Sequence, residues 1–324
     1  GSSDALKVRG SSSADTVTAG ADGLAFNTDN VKDIAFSNVD ALTFSLGAGN
    51  DTFSASGSYG TGLTFSTAVT AYGGDGNDTM SGGTAADTLN GGAGNDTLRG
   101  ATDSAADTAA DTLNGDAGDD TFDGGTTSNG GDTLAGGAGT DTASYALRTV
   151  SVTVTVGAGA NDGESGETDT VSADVENVTG GTAADTITGS SGNNTISGGG
   201  GNDTLAGGDG DDTINGDAGD DTLDAGAVDT GADSYAGGAG TDTVSYSARS
   251  SALTIDLDGT GDDGATGELD NVRADVENVV GGSGVDTITG SASANVLTGG
   301  AGADILNGGA GDDTFAEGAV NTDG

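Results

Sequence analysis

The sequence predicts an all-β fold, a parallel β-solenoid of stacked 18-residue coils. Three observations carry this: a nine-residue period with an apolar eighth position, glycine-rich turns between those positions, and no proline in 324 residues. The period is clearest from Gly198, where GGGGNDTLA, GGDGDDTIN and GDAGDDTLD follow without interruption. The same frame opens at Gly73, Gly82, Gly91 and Gly308. In this frame the sixth residue is aspartate at Asp15, Asp51, Asp78, Asp87, Asp96, Asp111, Asp120, Asp132, Asp141, Asp185, Asp203, Asp212, Asp221, Asp233, Asp242, Asp286, Asp304 and Asp313, and asparagine at Asn194 and Asn295.

Each position has a physical reading. Glycines at positions one, two and four permit positive φ and close backbone approach, which a six-residue turn with inward carbonyls requires. The last three residues make a short strand whose side chains alternate, so the apolar eighth residue points inward. Val17, Phe53, Met80, Leu98, Ile187, Leu205, Ile214, Ile288 and Phe315 occupy that position. The seventh is nearly always Thr, a good strand former that stacks into an outer ladder. Two nonapeptides give turn, strand, turn, strand: one flattened coil. Proline would remove a ladder donor in such interior strands, so its absence fits.

Composition restricts the function. With 52 Asp+Glu against 7 Lys+Arg the net charge is −45, and only 4 % of residues are aromatic. Such a surface repels phosphate backbones, which excludes nucleic acid. No stretch approaches the roughly 20 apolar residues of a membrane span. The chain has no Cys and no His, so disulfides, zinc sites and histidine-based catalysis are absent. Adjacent carboxylates such as Asp119/Asp120 and Asp211/Asp212 recur at several turns of the repeat, which argues for ion binding rather than a paired acid and base. Ser144 and Ser245 have no base to activate them. The chain is therefore expected not to be an enzyme. Carboxylate and carbonyl oxygens are the ligand set of a hard cation, and calcium suits them best. One buried apolar side chain per nine residues contributes less than ordering those residues costs. A cation between stacked turns removes carboxylate repulsion and adds binding energy, so calcium is expected to be required for folding.

These nonapeptides resemble the RTX family, the hemolysin-type calcium-binding repeats with consensus GGxGxDxUx, over residues 46–54 and 73–316. The resemblance implies a β-roll with multiple calcium ions between Gly/Asp turns one coil apart. It also implies export by bacterial type I secretion and an extracellular or cell-surface location. Carried onto this chain, the carboxylate ligands are Asp51, Asp78, Asp87, Asp96, Asp111, Asp120, Asp132, Asp141, Asp185, Asp203, Asp212, Asp221, Asp233, Asp242, Asp286, Asp304 and Asp313. Turn carbonyls near positions one and three join them, such as those of Gly73, Asp75, Gly91, Ala93, Gly198, Gly200, Gly207, Asp209, Gly216, Ala218, Gly299, Ala301, Gly308 and Ala310. Asp203 and Asp221 would serve one edge and Asp212 the opposite one; Asp78 with Asp96 and Asp286 with Asp304 make equivalent pairs. Asn194 and Asn295 depart from the pattern and weaken their sites. At position five, Asp211 and Asp220 are expected to point to solvent.

A longer period overlies the short one: residues 136–181 return as 237–282. This divides the chain into repeat blocks at 73–144, 180–245 and 281–316, separated by homologous inserts at 145–179 and 246–280. Each insert holds an alternating strand (Val152, Val154, Val156; Leu253, Ile255, Leu257), an acidic glycine-containing loop and the string DVENV. The inserts read as wider coils of the same solenoid, with Tyr145 and Tyr246 packing at the junctions. Glu176 and Glu277 of DVENV are either further calcium ligands or solvated. Residues 1–72 read as a degenerate capping or entry segment with a larger core from Phe26, Phe36, Phe44 and Phe65, and 317–324 as a tail. Two functions fit. One is an extracellular structural or adhesive solenoid, a segment of a larger secreted or surface protein such as a surface layer, filament or adhesin. The other is the calcium-folding C-terminal secretion module of a toxin or hydrolase. Exposed coil ends favour end-to-end self-association.

Overall fold

A computed structural model describes residues 5–20, 23–25, 34–35, 41–57, 66–101, 107–127, 130–228 and 231–316. Phe26, Phe36, Phe65 and the tail 317–324 lie outside these residues. All regular structure described is β-strand. The chain forms two compact units, Gly1–Arg148 with Val154–Asn177, and Thr149–Thr153 with Val178–Gly324.

In the first unit, strands that follow one another along the repeat series alternate between two sheets. One sheet runs Ala5–Arg9, Ala41–Ala48, Val69–Asp75, Thr88–Ala93, Thr112–Ala117, Thr133–Ala138 and Thr170–Val171 in spatial order. The other includes Thr16–Gly20, Thr52–Gly57, Thr79–Ser81, Thr97–Arg99, Thr121–Asp123 and Thr142–Ser144. These strands pair in parallel and keep the nonapeptide in register, with Thr52 beside Thr79, Thr79 beside Thr97, and Thr121 beside Thr142. The exception is an antiparallel excursion in which Gly23–Ala25 pairs with Thr16–Gly20 and with Ile34–Ala35. The second unit repeats the plan. Thr186–Thr188, Thr204–Ala206, Thr222–Asp224, Thr243–Ser245, Asn278–Val280, Val296–Thr298 and Thr314–Ala316 follow one another in one sheet. Thr195–Ser197, Thr213–Ala218 and Ser234–Ala239 stack parallel in another, as do Leu253–Asp256, Thr287–Thr289 and Ile305–Asn307.

The core is the predicted thin row. Position-eight residues Val17, Phe53, Met80, Leu98, Ile187, Leu205, Ile214 and Ile288 are buried, and the stacked Thr side chains of position seven lie on the outer face. Phe315 is the departure: on the edge strand Thr314–Ala316 it is 54 % exposed. Phe44 packs on Phe53 with ring centroids 4.7 Å apart.

The inserts rejoin the stack on both faces. Thr170–Val171 pairs with Thr133–Ala138, and Asn271–Val272 pairs with Ser234–Ala239. Between these strands the acidic loop folds back on a buried arginine that the sequence reading did not single out. Arg148 binds Glu164 (2.8 Å), Glu167 (2.9 Å) and the Gly124 carbonyl oxygen (2.6 Å). Arg249 does the same with Glu268 (2.7 Å) and Ala225 (2.7 Å). Tyr145 and Tyr246 are buried beside them and donate to Asp169 (3.2 Å) and Asp270 (3.1 Å).

Leu205 is fully buried and Ile305 is 63 % exposed on an edge strand. In saturating calcium, Leu205→Ala is expected to lose about 2–5 kcal/mol by the cavity it leaves. Ile305→Ala should stay within about 0.5 kcal/mol of the parent. Guanidinium unfolding followed by circular dichroism measures both, and equal losses would refute the thin-core assignment.

Candidate metal centre: columns of buried aspartates

The parallel register places the sixth residue of one coil over the sixth residue of the next. One carboxylate oxygen of each aspartate then accepts the amide of the aspartate one coil before. Along the first unit this runs from Asp51 N to Asp78 Oδ1 (2.7 Å), Asp78 N to Asp96 (2.7 Å), Asp96 N to Asp120 (2.7 Å) and Asp120 N to Asp141 (2.8 Å). A separate column in that unit runs from Asp87 N to Asp111 (2.7 Å), then Asp132 (3.0 Å). In the second unit Asp185, Asp203, Asp221 and Asp242 form one column and Asn194, Asp212 and Asp233 another. Asp203 and Asp221 therefore share a column from which Asp212 is absent. Asp286 N meets Asp304 (2.9 Å) and Asn295 N meets Asp313 (3.0 Å), with Asp304 and Asp313 only half-buried.

The columns end on residues of the inserts. Asp141 N donates to Glu176 Oε2 (2.9 Å) and Asp242 N to Glu277 Oε2 (2.9 Å). These glutamates stand where a position-six aspartate would be, rather than free in solvent. Asp132 N donates to Asp169 (2.8 Å) and Asp233 N to Asp270 (3.1 Å). Neither Asp169 nor Asp270 was a sequence candidate. Their signal was present in the Asp-Thr-Val and Asp-Asn-Val endings of the acidic loops, which follow the nonapeptide pattern without its glycines.

The second oxygen is the chemical feature. Oδ2 of Asp51, Asp78, Asp96, Asp111, Asp120, Asp141, Asp203, Asp221 and Asp242 is buried and accepts no hydrogen bond. A buried carboxylate oxygen without a donor is costly and implies a positive partner. Carbonyls converge on the same places. A Cβ built on Gly73 would strike both Asp78 Oδ2 and the Gly91 carbonyl oxygen. One on Gly198 would strike Asp203 Oδ2 and the Gly216 oxygen, and one on Gly216 would strike Asp221 Oδ2 and the Gly237 oxygen. At Gly136 and Gly237 the carbonyl comes from Asp174 and Asp275 of DVENV. At Gly100 two carboxylates, Asp111 and Asp132, meet. Asp107, absent from the sequence candidates, adds another buried carboxylate near Asp111 and Asp132. The position-three carbonyls of Asp75, Ala93 and Ala218 accept the amides of Gly49, Gly76 and Gly201, which leaves one lone pair each. This donor set, all carboxylate and carbonyl oxygen, fits calcium. Asp87, Asp185 and Asp286 are equally buried, yet both oxygens of each accept backbone amides.

Position five makes an outer ladder. Asp220 is exposed as expected, but its Oδ1 accepts the Thr241 amide (2.9 Å) and its own amide donates to Asn202 (3.1 Å). Asp211 does the same with Ala232 (2.9 Å) and Asn193 (3.0 Å). The exposed side chain lies along the stack because the next coil offers an amide within reach.

Burial raises the pKa of Asp78, Asp141 and Asp221 to about 6 and of Asp96 to about 7, against the ladder hydrogen bond that favours the ionised form. Asp111 is pushed to about 9 by burial, with the Asp132, Asp87 and Asp107 charges adding to it. A folded pKa above the unfolded value means that protonation favours the folded state. That contribution is present in full below the unfolded pKa, near 3.8, and is lost as pH rises through 6–7. Calcium-free protein should therefore show more β-structure by circular dichroism near about pH 5 than near about pH 8. The opposite order would contradict the burial of ionised carboxylates. At neutral pH, Asp221→Asn is expected to raise the calcium midpoint of folding severalfold. Asp220→Asn, which retains the acceptor for Thr241, should stay within about twofold. Equal shifts in calcium titrations would mean that the ions neutralise charge diffusely.

The RTX calcium-binding nonapeptide-repeat model matches residues 72–104, 105–129, 126–144, 172–205, 179–214, 197–229, 207–244 and 280–315. A comparison with curated proteins finds no match. The repeat matches span more than half of the chain and contain the columns from Asp78 to Asp141 and from Asp185 to Asp242. The parallel coils, the buried aspartates and these matches together place the chain in the RTX calcium-binding repeat family.

Proposed function

We propose that this chain is a calcium-folded structural or adhesive solenoid, a segment of a larger protein that acts outside the cell or on its surface. The observation that supports it most is the row of buried Oδ2 atoms, without hydrogen-bond donors, beside carbonyl oxygens of the next coil. Asp78, Asp96, Asp120, Asp203 and Asp221 would hold calcium with position-one carbonyls, and Asp141 and Asp242 with the carbonyls of Asp174 and Asp275. Bound there, calcium supplies the positive charge that lets ionised carboxylates remain buried. The protein's own part is to align the oxygens through the amide ladder and the left-handed glycine turns. A chain with a net charge of −45 has no comparable source of positive charge in its 7 Lys+Arg. In a compartment poor in calcium the columns stay ionised and unpartnered, so the chain stays open; millimolar calcium outside the cell closes it. The duplication of residues 136–181 as 237–282 lengthens a stack without adding a new chemistry, which favours a spacer or adhesive role over a secretion module.

Circular dichroism in EDTA and then in millimolar calcium tests this reading. The expected result is a largely disordered spectrum that converts cooperatively to a β-rich one, with magnesium a poor substitute because it holds its water and demands a smaller shell. A β-rich spectrum in EDTA at neutral pH overturns it.

A further inference from the structure

Not every turn of the repeat series has an open oxygen. In Gly10–Asp15, Gly82–Asp87, Gly180–Asp185 and Gly281–Asp286 the position-two amide donates to Oδ2 of the position-six aspartate in the same turn. The pairs are Ser11 N to Asp15 (2.6 Å), Gly83 N to Asp87 (2.6 Å), Gly181 N to Asp185 (2.6 Å) and Gly282 N to Asp286 (2.9 Å). Gly189–Asn194 and Gly290–Asn295 do likewise, from Ser190 N to Asn194 Oδ1 (2.7 Å) and Ser291 N to Asn295 Oδ1 (2.8 Å). Both asparagines that depart from the aspartate pattern therefore sit in turns of this kind.

The backbone differs to match. In the open turns that end at Asp51, Asp78, Asp96, Asp120, Asp141, Asp203, Asp221 and Asp242 position two has positive φ, as at Gly74 (121°), Gly92 (116°) and Gly199 (93°), and even at the non-glycine Asp116 (74°) and Asp217 (68°). A left-handed non-glycine residue is uncommon, although aspartate tolerates it better than most. None of Ser11, Gly83, Gly181, Ser190, Gly282 and Ser291 has positive φ. The conformation decides where the position-two N–H points, and so whether the position-six oxygen receives a hydrogen bond or stays open.

These turns also share a place in the stack. Oδ1 of Asp87, Asp185 and Asp286 accepts the amides of Val69, Val152 and Leu253, strand residues outside the aspartate columns. Each of the three is thus the first member of its column. Asn295 follows Glu277, which ends a column, and its Nδ2 donates to the Glu277 carbonyl (2.9 Å) while its Oδ1 accepts from Ser291. A neutral amide side chain meets both demands, where an ionised carboxylate would face a carbonyl oxygen.

Resting on the calcium reading above, we infer that these self-closed turns take no calcium at position six and form the starting caps of the ion columns, a backbone amide standing where the other turns need a cation. The ions then occupy only the open turns, from Asp51 or Asp111 or Asp203 onward to the insert carboxylates. Of the aspartates with ligand spacing, Asp87, Asp185 and Asp286 are structural acceptors. Position three differs between most turns of the two classes: Ser12, Thr84, Thr182, Ser191 and Ser283 in all but one of the self-closed turns, against Asp75, Ala93, Gly200 and Ala218 in open ones, with Thr108 in the open turn of Asp111 as an exception.

Bound calcium per folded chain, measured by equilibrium dialysis of the full 324-residue protein at saturating calcium, tests the inference. Asp203→Asn is expected to lose about one ion and raise the folding midpoint severalfold. Asp185→Asn should retain the parent ion count, and Asn295→Asp should gain none. If Asp185→Asn fails to fold, Gly181→Ser, which copies Ser190 and Ser291, is the second variant. It should keep the ion count and a midpoint within about twofold, whereas Gly92→Ser, at a positive φ in the turn of Asp96, should raise the midpoint severalfold. Loss of an ion by Asp185→Asn or Gly181→Ser, or gain of one by Asn295→Asp, overturns the inference and leaves calcium-driven folding intact. No calcium bound by the parent chain overturns both.

Discussion

Stacking carboxylates in a buried column is the constraint on which the rest of this structure depends. Parallel register puts Asp78, Asp96, Asp120 and Asp141 one coil apart, and the amide of each holds one oxygen of the next. That satisfies half of every carboxylate and buries the other half beside carbonyl oxygens. The glycines follow from this, because a side chain at Gly73 or Gly216 would fill the space that the oxygens share. The absence of proline follows as well, since each coil donates its amides to the ladder.

The ladder, rather than the coil length, keeps the register. Successive aspartates of one column lie 27, 18, 24 and 21 residues apart between Asp51 and Asp141, and the last step to Glu176 is 35. Position six keeps its hydrogen bond whatever the number of residues between successive repeats. Loop closure entropy rises only slowly with length, so excursions of a few residues cost little while every coil regains the same hydrogen bond. The thin apolar row from Met80 to Phe122 supports this alignment but specifies it weakly, because Met, Leu and Phe all fill the position.

Polar burial is handled in two ways in one chain. The columns leave oxygens open for a cation. The inserts pair part of their charge internally: Arg148 and Arg249 are buried against glutamates and backbone carbonyls, and Asp162 has both oxygens hydrogen-bonded by Thr155 and Val171. A column that ends at Asp169 therefore meets a segment in which Arg148 pairs the neighbouring Glu164 and Glu167. Burial still raises the pKa of insert aspartates, Asp169 to about 8 and Asp263 to about 7, so the cost of ionising buried aspartates extends beyond the repeats.

The sequence by itself determined the strand period, the apolar eighth position, the parallel coil and the chemistry of the ligand set, because each follows from local spacing of side-chain types. It also separated Asp212 from Asp211 and Asp221 from Asp220 by frame alone. Only the tertiary structure decided which oxygens stay open. Asp87 and Asp96 occupy the same position of the same motif, and what distinguishes them is whether a backbone amide four residues earlier points at the carboxylate. The roles of Asp169, Glu176 and the DVENV carbonyls were equally hidden, since the partners of these groups are 35 or more residues away and meet only when the insert closes its coil. Arg148 lies outside the nonapeptide frame, and its return as Arg249 in the longer repeat does not say what it binds. Its place depends on a loop that returns to it across the stack, and long-range closure of that kind leaves no mark on local sequence.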